Sequence, residues 1–167
     1  AISESKEKPV IAALTATATP EVKEDIIKQL KIENPAVFVS GFKRDNLEII
    51  CIKTKNDTDK MSKIVSICQK VSGPKLIYAT TRKSVEDIVT NLSANGINAS
   101  QYHAGMTAEE RKLAQDMFVN GHSNLLVSTN AFGMGIDKSN IRMIIHCNMP
   151  GSIEAYYQEI GRAGRDG

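Results

Sequence analysis

The chain has 167 residues, 41% hydrophobic and 24% charged, which is the composition of a soluble folded domain with a core and excludes a disordered tail. Lys and Arg number 21 against 19 Asp and Glu, a net of +2, which excludes a supercharged arm but leaves room for a local basic patch. Aromatic residues make up 5% and Trp is absent, so a base-stacking platform is excluded as the main binding mode. The three cysteines, Cys51, Cys68 and Cys147, form no CxxC pair. They read as small buried hydrophobes, with neither zinc nor a redox motif. No apolar run approaches the roughly 18 residues that cross a bilayer.

Val10–Leu14 is a short apolar run and predicts a buried strand. Thr19 followed by Pro20 predicts a helix start, with Val22, Ile26, Ile27 and Leu30 at helical spacing. Ala36–Val39 and Leu47–Ile52 predict two further strands, with a connector at Gly41–Asn46 between them. Met61, Ile64, Val65 and Cys68 share one face of a helix that Asp57 or Asp59 caps and Gly73-Pro74 ends. Leu76–Ala79 is a strand, and Val85, Ile88, Val89 and Leu92 define the next helix, closed by Gly96. Ala99–Tyr102 is a short strand; Thr107 and Glu110 form a capping box for a helix stopped by Gly121. Leu125–Thr129 and Met143–Cys147 are strands, and Ser152 caps a last helix.

Strands and helices alternate, and the strands are apolar throughout, not at every second residue. That pattern predicts an α/β fold, a parallel sheet with helices on both faces. Ligands in such folds sit at the carboxyl ends of the strands. The segments there are Thr15–Thr19, Thr80–Arg82, His103–Gly105, Asn130–Asp137 and Asn148–Gly151, most of them rich in Thr, Gly, Asn or His. Such residues bind phosphate through hydroxyls, amides and helix N-termini, and they also cap helices in proteins that bind nothing.

The last helix places Gln158 and Arg162 four residues apart on one face, with Ile153, Tyr156, Tyr157 and Ile160 toward the core. Arg162 and Arg165 follow among glycines. Guanidiniums fork onto oxyanions, so this pair reads either as an external anion site or as a solvated surface pair.

Gln158–Gly167 (QEIGRAGRDG) resembles motif VI of superfamily 2 helicases, and of the RecQ DNA helicases in particular. Ser128–Lys138 resembles RecQ motif V, Leu76–Arg82 motif IV, Tyr102–Met106 the motif after it, and Ala13–Pro20 motif III. The five occur in the family's order and spacing. Thr80, Asn130, Cys147 and Ile160 depart from residues common in the family.

The resemblance implies a RecA-like helicase C-terminal lobe of the P-loop NTPase type. Residues 1–44 would be the tail of the first lobe, with motif III, and residues 45–167 the second lobe. It implies an ATP-dependent 3′–5′ DNA helicase in which Arg165 is the arginine finger, with Arg162 and Gln158 beside it. Gly135 and Asp137 would lie near the nucleotide. Thr81, Arg82, His103, Gly105, Thr129 and Asn130 would touch the DNA backbone, and Thr15, Thr17 and Thr19 would couple the two sites. Neither a GxxxxGK[ST] loop nor a DExH box occurs in the sequence. ATP and Mg²⁺ are therefore expected to bind mainly on the first lobe, with no zinc here and no ATP hydrolysis by this chain alone. The expected partners are single-stranded or forked DNA and the first lobe, with no membrane. The expected location is the cytoplasm, at the nucleoid, in a bacterium, or the nucleus in a eukaryote. A DEAD-box type RNA helicase lobe and a stand-alone nucleic-acid-binding module are the alternatives. The Tyr156-Tyr157-Gln158 run ahead of Gly161 argues against the RNA helicases, which usually carry a His-Arg pair there.

Overall fold

Lys75–Tyr78 (β1) is buried along its whole length and runs through the middle of a four-stranded sheet. The computed structural model describes residues 10–15, 18–39, 44–133 and 138–167. They divide between two units, Ala1–Lys43 and Arg44–Gly167.

In the second unit the sheet also contains Ser100–Tyr102 (β2), Leu125–Ser128 (β3) and Met143–His146 (β4), in the order β2-β3-β1-β4. Each pairing is parallel, with Ile77 opposite Val127 and Ile145, and Tyr78 opposite Ser128 and His146. Successive strand residues point to opposite faces, and the core divides accordingly. Ile77, Leu125 and Val127 pack with Ile64 and Cys68 of Asp57–Lys70 (α2) and with Val85, Ile88 and Leu92 of Arg82–Ala94 (α3). Leu76, Tyr78 and Leu126 pack on the other side with Phe118 of Ala108–Val119 (α4), and with Phe132, Ile141 and Ala163. Both faces are thus covered, which is why β1 and β3 carry no polar alternation.

The helix ends follow local chemistry. Thr107 accepts from the Glu110 backbone N–H at 3.2 Å while the Glu110 carboxylate accepts from the Thr107 backbone N–H at 2.8 Å, the expected capping box. Gly96 and Gly121 end α3 and α4 with φ of +74° and +81°, backbone that favours glycine. The cap of α2 is Asn56, whose Oδ1 accepts from the Asp59 N–H at 2.8 Å, not Asp57 or Asp59. Asp59 instead pairs with Lys63. The helix stops at Lys70, ahead of Gly73-Pro74.

Further expectations are corrected. Val10–Leu14, Ala36–Val39 and Leu47–Ile52 form no strands; Val10, Leu14, Phe38, Ile49 and Ile50 are exposed. An extended segment becomes a strand only by pairing, and these have no ladder partner among the described residues. Cys51 is exposed rather than buried, while Cys68 is in the core. Ile153–Ile160 (α5) turns differently from the spacing argument: Ile153 and Tyr157 are 59% and 40% exposed, and its buried residue is Glu159. Arg162 lies beyond the last turn of α5 and so shares no helix face with Gln158.

The first unit contains Pro20–Gln29 (α1), N-capped by Thr19, whose hydroxyl accepts from the Val22 N–H at 3.4 Å. Among the described residues no helix is long and apolar enough to cross a membrane.

Candidate functional site

The turn after α5 is anchored from several sides. The Gly164 N–H donates to Ile141 O and the Arg165 N–H to Ser139 O, both at 2.9 Å, so the turn lies alongside residues 139–141. Asp166 closes it through a forked ion pair with Arg142, whose Nη1 donates to Oδ1 at 3.1 Å.

The two arginines on this turn have different environments. Arg162 is partly buried, and its Nη1 donates to the carbonyl of Gly133 in the loop after β3. A β-carbon at Gly133 would stand 2.8 Å from Arg162 Cζ, so glycine there lets the guanidinium lie on the backbone. Arg165 is exposed, and its Nε donates to Gly161 O at 3.1 Å. Gln158 is exposed on α5.

Behind Arg162 lies a buried polar group that spacing did not reveal. His146 Nε2 and Glu159 Oε2 are 2.7 Å apart, with side chains 14% and 12% exposed. The His146 ring stacks on Tyr78 at 5.5 Å, and the Tyr78 hydroxyl donates to Phe132 O at 3.2 Å. The group joins β1, β4 and α5 to the loop carrying Gly133. A histidine inside the apolar run Met143–Cys147 was the signal in the sequence; Glu159 was hidden because the spacing argument turned its helix the wrong way.

Burial pushes the Tyr78 hydroxyl up to about 12; Arg162 opposes the shift and Glu159 adds to it. A raised folded-state pKa means stability is complete below pH ~10, the unfolded value, and falls as pH climbs toward 12. Phenolate absorbance should therefore show one late tyrosine near pH 12 that Tyr78→Phe abolishes. Absence of that step from the wild-type titration would contradict this burial.

A second group gathers at the carboxyl ends of β1 and β2. Thr81 caps α3, its Oγ1 accepting from the Ser84 N–H at 3.0 Å. Arg82 reaches across to β2's loop, where a β-carbon at Gly105 would sit 3.1 Å from Arg82 Cδ. His103 is buried, its Nδ1 accepting from the Gly105 N–H at 3.2 Å; its Nε2 faces Glu86 Oε1 at 3.5 Å without hydrogen-bond geometry. Thr81, Arg82 and Gly105 are exposed and are brought together with His103 at this rim. Asn130 is exposed after β3, whereas Thr129 is buried, its Oγ1 accepting from the Ala131 N–H at 3.4 Å. Thr129 therefore supports this rim from below.

Thr17, Gly135 and Asp137 lie outside the described residues. Thr15 is exposed and Thr19 caps α1, both in the first unit. Among the described residues no group of three or more His, Cys, Asp or Glu is placed to hold a metal ion. The donors on the anchored turn are guanidiniums, which fit a phosphate oxygen.

The helicase conserved C-terminal domain matches residues 58–167, well over half of the chain. This chain belongs to that family. It is 45% identical over 164 residues to the ATP-dependent DNA helicase RecQ of Bacillus subtilis (strain 168), covering 98% of this chain and 27% of that protein. It is 46% identical over 160 residues to a putative ATP-dependent DNA helicase Q1 of Caenorhabditis briggsae, covering 94% of this chain and 26% of that one. The chain thus spans about a quarter of the length of these curated relatives. Among solved structures, Saccharomyces cerevisiae Dbp5 bound to RNA and ADP BeF3 superposes with a TM-score of 0.72 at 24% identity, over 90% of this chain and 41% of that one. That likeness carries the RecA-like helicase fold alone; the RecQ assignment comes from the sequence relatives. The anchored turn of this RecQ-family domain is its motif VI, and the loop that holds Arg162 is its motif V.

Proposed function

We propose that this chain is the second motor lobe, Arg44–Gly167, of an ATP-dependent 3′–5′ DNA helicase, preceded by the tail of the first lobe in residues 1–43. Arg165 is the arginine finger that stabilises the charge of the transferring phosphoryl group, and Arg162 is the brace of the motif V loop. Gln158, Gly135 and Asp137 border the nucleotide. Thr81, Arg82, Gly105 and Asn130 line part of the single-stranded DNA track, and the buried His103 and Thr129 back it. Thr15, Thr17 and Thr19 relay between the two sites.

One observation carries this reading: the exposed Arg165 sits on a turn held through the Gly164 and Arg165 amides, and its Nε is fixed on Gly161 O at 3.1 Å. A guanidinium held ready at fixed position stabilises charge that develops only during reaction, without reorganisation at that moment. The exposed rim residues offer the Thr81 hydroxyl, the Asn130 amide and the Arg82 guanidinium and no aromatic shelf, which suits sugar-phosphate contacts that position a strand without reading its sequence. ATP and Mg²⁺ would be held mainly by the first lobe, with the phosphoryl oxygens presented to Arg165. The working partners are that first lobe and single-stranded or forked DNA, at the bacterial nucleoid or in a eukaryotic nucleus.

The test compares this chain with the two-lobed polypeptide that contains it. The chain alone is expected to show no ATP hydrolysis above a protein-free blank, and the two-lobed protein to show DNA-stimulated turnover. Hydrolysis by the chain alone would overturn the assignment of the phosphate and metal sites to the first lobe. In a competition between matched single-stranded DNA and RNA, a clear RNA preference would overturn the DNA assignment.

A further inference from the structure

The oxygens of Ala163 and Gly164 lie on the turn between Arg162 and Arg165, and both accept hydrogen bonds from residues more than a hundred positions earlier. Arg44 Nη2 donates to Ala163 O at 3.1 Å and to Gly164 O at 2.7 Å. Asn46 Nδ2 donates to the same Gly164 oxygen at 2.7 Å. Arg44 Nε donates to Asn46 Oδ1 at 3.2 Å, which fixes the two side chains against each other and orients the amide. Gly164 itself has φ of +55°, and a β-carbon there would stand 2.8 Å from Asn46 Nδ2 and 3.3 Å from Leu47 Cδ2. The turn therefore needs glycine at this position twice over, once for its backbone angle and once for the approach of Asn46.

The geometry is that of a clamp. Residues 139–141 hold the amides of Gly164 and Arg165 on one side, and Arg44 with Asn46 holds the carbonyls of Ala163 and Gly164 on the other. The donor at one carbonyl pair is charged and its partner is an amide oriented by that same charge, so the contacts are stronger than neutral ones. Arg44 is also the residue at which the second unit begins. The chain entering this unit and the turn carrying Arg165 share one anchor.

We infer that Arg44 and Asn46 are positioning residues for Arg165, acting through the backbone of the turn without touching the nucleotide. This rests on the reading of Arg165 as the arginine finger. A displacement of the order of 1 Å at a group that must meet a phosphoryl oxygen is enough to cost up to about a hundredfold in rate.

The experiment measures DNA-stimulated ATP hydrolysis by the two-lobed polypeptide carrying Arg44→Ala, Asn46→Asp or Arg165→Ala, and each of the first two combined with the third. Asn46→Asp keeps the shape and removes the donor, so it decides the matter if Arg44→Ala fails to fold. Each clamp variant is expected to lower kcat about tenfold with KM for ATP and Kd for DNA within about twofold of wild type. In the Arg165→Ala background the same substitutions are expected to add less than about twofold, because the group they position is gone. Unchanged kcat, or losses that multiply with that of Arg165→Ala, would overturn the clamp. A silent Arg165→Ala would instead overturn the finger reading on which it stands, so the two failures are distinguishable.

Discussion

Replacing Arg165 by alanine in the two-lobed protein is expected to lower kcat for DNA-stimulated ATP hydrolysis by about 10³-fold, the low end for an arginine finger. Kd for single-stranded DNA should stay within about twofold, since the residues proposed for the DNA track lie at the ends of β1, β2 and β3. Arg165 and not Arg162 carries this expectation because of where the two guanidiniums lie. Arg162 is partly buried, donates to Gly133 O and approaches Tyr78, so removing it disturbs the motif V loop and the core behind it. Arg165 is exposed, and its backbone N–H is tied to Ser139 O at 2.9 Å. Truncating this exposed side chain on a tied backbone removes a charge and the Nε hydrogen bond to Gly161 O, with little packing. Arg165→Lys should restore only part of the loss, since a point charge cannot fork across two oxygens. A kcat for Arg165→Ala within tenfold of wild type would sink the assignment. Single-turnover measurements would locate the loss in the chemical step and not in product release.

His146→Ala is expected to destabilise this chain by about 3 kcal/mol, because it leaves the buried carboxylate of Glu159 without its partner. The pair is closed at 2.7 Å, with neither side chain more than 14% exposed. The substitution also removes the ring stacked on Tyr78 and opens a cavity between β4 and α5. Glu159→Gln keeps an acceptor toward His146 and should cost about 1 kcal/mol, the scale of an ordinary hydrogen bond. Urea unfolding followed by circular dichroism reads both values. A loss below about 1 kcal/mol for His146→Ala would mean that water reaches Glu159 and that the pair contributes little to holding α5 on the sheet.

The structure agrees with the sequence at most helix caps, where local chemistry settles the matter; at α2 the cap is Asn56, one residue ahead of Asp57. Thr19, Thr107 and Ser152 are caps because a hydroxyl or carboxylate placed three residues from an amide satisfies it regardless of what surrounds the helix. The apolar runs around Ile77 and Val127 are strands because both sheet faces demand apolar side chains. The failures occur where the outcome depends on a neighbour. Val10–Leu14, Ala36–Val39 and Leu47–Ile52 have strand composition but no ladder partner among the described residues. In α5 eight residues allow more than one apolar face, and the choice fell to Glu159, which is drawn inward by His146 of a different element.

The candidate site divides along the same line. The order of its motifs, the glycines around its arginines and the lack of a phosphate-cradling loop are properties of the chain read in one dimension, and they determined the RecQ kinship, the fold and the expectation of half a motor. Only the tertiary structure separated Arg162 from Arg165, buried Thr129 and His103 while leaving Arg82 exposed, and placed Arg44 and Asn46 on the turn they hold. These assignments turn on hydrogen bonds that span up to 120 residues of sequence. No spacing rule can supply such contacts, because the partner at each end is chosen by the packing of the whole unit.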